Sequence, residues 1–153
     1  MATALLRKKP KKSGRSASYV TGSLLKIARQ PNAEIRVAIE HGLSPLAVID
    51  LIDRLKLNKQ LFSETVGLSV RTLDRKLQKK QPLSREEGAT LVRVAKIHTL
   101  ASRLFTSDEA ISDWLTQPDS ALDGQTPLAM LSNEFTAAEV EDLLQGMIHG
   151  FVA

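Results

Sequence analysis

Arg71, Arg75, Lys76 and Lys79 crowd into one short stretch, LSVRTLDRKLQKKQPLS, in which Val70, Leu73 and Leu77 recur at helical spacing. Guanidinium groups one turn apart present forked donors that match guanine edges or phosphate oxygens. A helix exposing Arg71 and Arg75 therefore has the chemistry to read a major groove. Thr72, Lys76 and Gln78 share the exposed face and Ser69 stands at the N-cap position. Lys79 and Lys80 beyond it suit phosphates, which provide affinity without reading sequence. The bland alternative is a solvated basic face on a helical hairpin.

Positioning such a helix needs a partner helix and a sharp turn. FSETVGLSVRTLDRKLQ supplies both: helix, glycine turn at Gly67, helix, the layout of a helix-turn-helix. Ser63, four residues before Gly67, is small where two helices must approach closely. One position departs from the usual pattern. Nine residues after the turn glycine an apolar side chain is common, and here it is Lys76, with Leu77 one position late.

The flanking elements read as helices too. Upstream, SLLKIARQPNAEIRVAIEHG carries short helical fragments broken by Pro31 and ended by Gly42. Ser44-Pro45 opens a helix whose apolar stripe is Leu46, Val48, Ile49, Ile52 and Leu55. Asn58 caps the next, with Leu61, Phe62 and Val66 inward. Ser84 and Glu87 have capping-box spacing and begin a long helix through Leu91, Val94, Ile97, Leu100, Ala101 and Leu104. Gly88 within it costs about 1 kcal/mol relative to alanine and would permit close packing.

Ser107 precedes Asp108 and Glu109, acids that favour the positive end of a helix running to about Gln117. PDSALDGQTP is a turn-rich connector to a short helix over Leu128 to Leu131. Thr136 and Glu139 have capping-box spacing, with Phe135 placed to staple onto Val140. Val140, Leu143, Leu144, Met147, Ile148 and Phe151 then form one wide apolar face. No segment alternates apolar and polar residues over strand length, so the fold class is all-α.

Composition sharpens the division between front and rear. The net charge of the 153 residues is +4, but all 21 lysines and arginines lie at or before Arg103, together with 8 acids, for a local net of +13. From Leu104 to Ala153 there are nine acids and no Lys or Arg, a net of −9. Such asymmetry points to two ends with different partners. The expected division is a mobile basic arm (1–20) bearing Arg7, Lys8, Lys9, Lys11, Lys12 and Arg15, a helix-turn-helix domain (21–105) and a smaller acidic helical domain (106–153) that shares the long helix near residues 84 to 105. The arm is rather like an organelle presequence but reads as a solvated tail, either a solubilising one or a source of further DNA contacts.

Several chemistries have no support. The chain has no cysteine, and His41, His98 and His149 are scattered without metal-ligand spacing. There is no glycine-rich phosphate loop and no nucleophile elbow. No catalytic residue, no metal site and no cofactor is expected, and the protein is read as a non-enzyme. No apolar run approaches the ~18 residues of a membrane span, and a reducing cytoplasm suits a cysteine-free chain.

WLTQPDSALDGQTPLAML, followed by SNEFTAAEVEDLLQGMIHGFVA, resembles the Xre/MbcA/ParS-like toxin-binding domain, and the upstream helix-turn-helix resembles the Xre-like half of the same antitoxins. The resemblance covers about Leu43 to Ala153 and rests on Trp114-Leu115, Ala121-Leu122, Gly124, Thr126-Pro127-Leu128 and the final Val140, Leu143-Leu144, His149-Gly150 pattern. Asp123, Thr136 and Met147 depart from it. It implies a homodimer that binds operator DNA with one half and clamps a toxin with the other, including RES-domain toxins that consume NAD. It also implies that the end of the chain, Gly150, Phe151, Val152 and Ala153, plugs the toxin's active site, with Glu139, Glu141 and Asp142 meeting basic groups at the rim. The alternative is a stand-alone helix-turn-helix transcription regulator whose acidic half is a dimerisation module.

Overall fold

Residues 23–150 are described by the computed structural model, so the arm over 1–20 and Phe151, Val152 and Ala153 lie outside the described residues. Every regular element among them is helical: α1 (Leu24–Ala28), α2 (Asn32–His41), α3 (Leu46–Leu55), α4 (Lys59–Val66), α5 (Val70–Lys79), α6 (Arg85–Ala101), α7 (Asp108–Thr116), a 3-10 turn (Ser120–Leu122), α8 (Pro127–Met130) and α9 (Glu134–Ile148). No helix among the described residues is long and apolar enough to cross a membrane.

Most helix starts follow local capping chemistry. The side chains of Asn58, Ser69 and Ser107 each accept a hydrogen bond from the backbone N–H three residues on, at 3.1 Å. At α6 the capping box is complete: Glu87 N–H donates to Ser84 Oγ at 3.2 Å and Ser84 N–H donates to Glu87 Oε1 at 2.7 Å. Each bond satisfies a donor that the first helical turn leaves open.

The helix α6 is the axis of the molecule. Gly88, Leu91, Val92, Val94, Ala95, Ile97, His98 and Ala101 are all buried, so most of its circumference is covered. Helices α1, α2 and α4 pack on it from the front half and α9 packs on it from the rear. A single hydrophobic cluster consequently runs from Leu24 to Leu144. An alanine Cβ at Gly88 would sit 3.5 Å from Leu43 Cδ1, an ordinary contact, so packing does not demand glycine there.

Three expectations fail. Leu46 is 58% exposed and Leu61 42% exposed, whereas the neighbours Ala47, Leu51, Phe62 and Val66 are buried. Helical periodicity supplies a stripe, and tertiary packing covers only part of it. The last helix begins at Glu134 rather than after Thr136, because the Asn133 side chain accepts from the N–H groups of Phe135 and Thr136. Thr136 Oγ1 instead donates to Met130 O at 2.6 Å, tying α9 back to α8. Phe135 is 83% exposed and staples onto nothing.

Candidate functional site

The turn between α4 and α5 closes in a left-handed cap. Gly67 has φ 79°, and Leu68 N–H donates to Ser63 O at 2.8 Å, the Schellman arrangement that glycine adopts without steric cost. Ser63 is 1% exposed, in keeping with a close helix approach. Phe62, Val66, Leu68 and Leu73 are buried beneath the turn, which fixes the outward face of α5.

On that face Arg71, Thr72, Arg75 and Gln78 line one shallow groove together with Asp74. Asp74 would repel a polyanion, but Lys59 donates to its carboxylate at 3.1 Å. Arg71 and Arg75 form no ion pair among the described residues. Ser69 caps the start of α5, and the first turn carries no acid, so the positive helix end stays open to an anion. Lys79 is exposed in the last turn, and Lys80 follows it in the left-handed conformation, φ 53°.

Lys76, expected on this exposed face, instead lies apart from it. Its ammonium meets Glu87 Oε1 at 2.6 Å, and the two side chains are only 13% and 12% exposed. The position where an apolar residue is common therefore does face inward, and the charge is answered by the carboxylate that also completes the α6 capping box. Lys76 thus joins the end of α5 to the first turn of α6.

The acidic residues of α9 do not form one patch. Glu139, Glu141 and Asp142 are all exposed, but on different flanks. Glu139 lines a groove with Asp123 and Gln125 of the connector, whereas Glu141 lines another with Arg29, Lys96 and Arg103. Gly150 closes the described chain, exposed and with φ 74°. Trp114 packs beside Phe105, ring centroids 5.8 Å apart and tilted by 34°.

Two front-to-rear ties escaped sequence reading because their partners are far apart in the chain. Arg93 of α6 donates through Nε to Leu131 O at 3.0 Å and through Nη2 to Ser132 O at 3.3 Å, closing the end of α8. His98, 5% exposed, places Nε2 2.8 Å from Asp108 Oδ1, and Arg54 approaches the other oxygen of Asp108 at 3.7 Å. Among the described residues no group of three or more His, Asp or Glu side chains could hold a metal ion.

Comparison with known proteins follows the same front-and-rear division. Residues 34–96 match the antitoxin Xre-like helix-turn-helix domain, and residues 100–150 match the antitoxin Xre/MbcA/ParS C-terminal toxin-binding domain. The chain is similar to the antitoxin Xre of Pseudomonas putida, 28% identical over 118 residues that span 77% of this chain and 73% of the relative. It is also similar to the antitoxin Xre of Photorhabdus laumondii subsp. laumondii, 25% identical over 121 residues, 78% of this chain and 81% of the relative. With both domains matched in order on an all-helical fold, the chain belongs to the Xre family of antitoxins, built from an Xre-like helix-turn-helix and an Xre/MbcA/ParS toxin-binding domain.

Proposed function

We propose that this chain is the antitoxin of a type II toxin–antitoxin pair, that it neutralises a RES-domain, NAD-consuming toxin by occupying its active site, and that it represses its own operon. It acts by binding, without catalysis or cofactor. Residues 21–105 address operator DNA and residues 106–153 address the toxin. On α5, Arg71, Thr72, Arg75, Gln78 and Lys79 face DNA from a helix start capped by Ser69. Lys76 serves by holding α5 against α6.

The observation that carries this reading is the segregation of charge. A pocket that receives an anionic dinucleotide must be electropositive, and a domain with nine acids and no Lys or Arg complements it. Glu139, Glu141 and Asp142 bring acids to both flanks of α9, and Gly150 to Ala153 follow it in sequence as the plug. As a cytoplasmic homodimer, the protein places two copies of α5 on an inverted repeat with half-sites about 34–36 Å apart.

Deleting Gly150 to Ala153 tests the plug. The truncated protein is expected to keep its helical signal and dimer while losing neutralisation of the toxin encoded beside it. Full protection by the truncated form rejects the plug. A neighbouring gene product that is harmless alone and does not co-purify leaves only the stand-alone regulator. For the DNA half, Arg71→Ala with Arg75→Ala should remove about 1–3 kcal/mol of base discrimination per lost bidentate contact. Unchanged operator affinity would assign the front half another task.

A further inference from the structure

A second set of cations lies away from the outer face of α5. Arg85, Lys96 and Arg103 recur at intervals that bring them to one side of α6 and the turn that ends it. Arg36 of α2 lines a groove with Arg85 and Lys96, and Arg29, at the end of α1, lines the next groove with Lys96 and Arg103. Lys96 borders both grooves, so the five residues form a continuous row. At a rise of about 1.5 Å per residue, it is roughly 27 Å long.

The row is not consumed by the protein's own acids. Lys59 and Lys76 are each held within 3.1 Å of a carboxylate, and Arg54 and Lys56 at 3.7 and 3.4 Å. None of Arg29, Arg36, Arg85, Lys96 and Arg103 has an ion-pair partner among the described residues. Glu40 and Glu141 border the two grooves without pairing to them, which leaves the row at a net of +3. Lys96 hydrogen-bonds only the neutral Asn32 side chain, at 3.2 Å. All five side chains are exposed.

We propose that this row is a second polyanion site, a track for the phosphate backbone of duplex DNA that lies outside the bases facing α5. Two features favour nucleic acid over an acidic protein. The length of the row corresponds to about eight base pairs along a duplex axis, each strand carrying a phosphate every 3.4 Å or so. Four of its five members are arginines, whose planar forks suit phosphate oxygens. The row makes no demand on base identity and therefore contributes to random-sequence DNA as much as to operator.

The test uses the full-length chain and a random-sequence 25-base-pair duplex, with affinity followed by anisotropy between 50 and 200 mM NaCl. Arg29→Gln, Arg36→Gln, Lys96→Gln and Arg103→Gln are combined in one variant, and separately added to Arg71→Ala, Arg75→Ala. Each neutralised phosphate contact removes about 0.9 from the slope of log affinity against log salt. The quadruple variant is expected to lose about 2–4 from that slope and at least tenfold in affinity at 100 mM salt. The same loss is expected when Arg71 and Arg75 are already replaced, so a failure of operator reading by α5 remains distinguishable. Helical circular dichroism and the melting curve should be retained, since every substituted side chain is exposed. Unchanged slope and affinity in both backgrounds overturn the proposal. So does a variant that keeps DNA binding but loses salt-sensitive self-association, or capture by anionic phosphatidylglycerol vesicles, because the row then serves another partner.

Discussion

Lys76 occupies a position that commonly carries an apolar side chain, and Glu87 is the reason a lysine is tolerated there. Burial alone would push the Glu87 carboxyl up. The hydrogen bonds from Lys76 and from the Ser84 amide, with the Lys76 charge, outweigh burial and hold it below its usual 4.5. A carboxyl with a depressed folded-state value adds stability that is fully present above about pH 4.5 and is lost as pH falls through that lower value. Lys76→Ala should therefore destabilise the fold at pH 7 by about 1–3 kcal/mol, since a half-satisfied carboxylate is left in a nearly buried place. It should also flatten the acid limb of the stability curve below pH 4.5. Urea unfolding at pH 7 and pH 3.5 measures both effects. A variant as stable as the parent at both values would mean that the pair contributes nothing. Neither the pairing nor its consequence was visible in the sequence, where Lys76 and Glu87 are merely two charges eleven residues apart.

Helix starts at Asn58, Ser69, Ser84 and Ser107 were legible because a cap and the N–H it satisfies lie within three residues of each other. The start of α9 was misread for an equally physical reason. Thr136 and Glu139 have the right spacing, but Thr136 spends its hydroxyl on Met130 O, a partner in the preceding helix, and Asn133 caps instead. Long-range ties of this kind hold the short elements in place, and Arg93 makes two of them. Burial lowers its pKa, the charge of Glu134 opposing, and its fork closes the carbonyls at the end of α8. Arg93→Ala should cost about 1.5–3 kcal/mol, as loss of hydrogen bonds from a charged donor usually does. The loosening should be local, with amide exchange accelerating around α8 and the Asn133 cap before the rest of the molecule. Arg93→Lys keeps the charge without the fork and should fall between. Uniform exchange across α8 in all three proteins would show that the end of α8 is held by apolar packing alone.

Charge divides the chain at residue 103, but the core does not. The boundary expected near residue 105 follows the change of composition and leaves the long helix shared between the two parts; α6 is covered on both sides, and α9 closes one of them. The apolar positions of α6 looked like one stripe, and only the fold reveals that Val92 and Ala95 are buried as well, each under 4% exposed. A rear domain cut at 106 would thus lose α6, on which α9 packs; Val140 and Leu144 of α9 are both fully buried in the intact chain. At about 25 cal/mol per Å² of apolar surface returned to water, forty-odd residues cannot offset that loss and their own ordering entropy. The fragment 106–153 should accordingly show little cooperative helix, while the intact chain unfolds as one unit. Trp114, the single tryptophan, makes the second point measurable, since its fluorescence reports the rear half while far-ultraviolet dichroism follows all the helices. In urea the two signals should have one midpoint, and Arg93→Ala should draw both together to lower denaturant. Separate midpoints in the parent protein, or a cooperatively folded 106–153 fragment, would make the two ends independent modules. Because both ends pack on α6, the proposed function predicts coupling: a toxin that orders the acidic end should strengthen operator binding, and operator should strengthen toxin binding by the same factor.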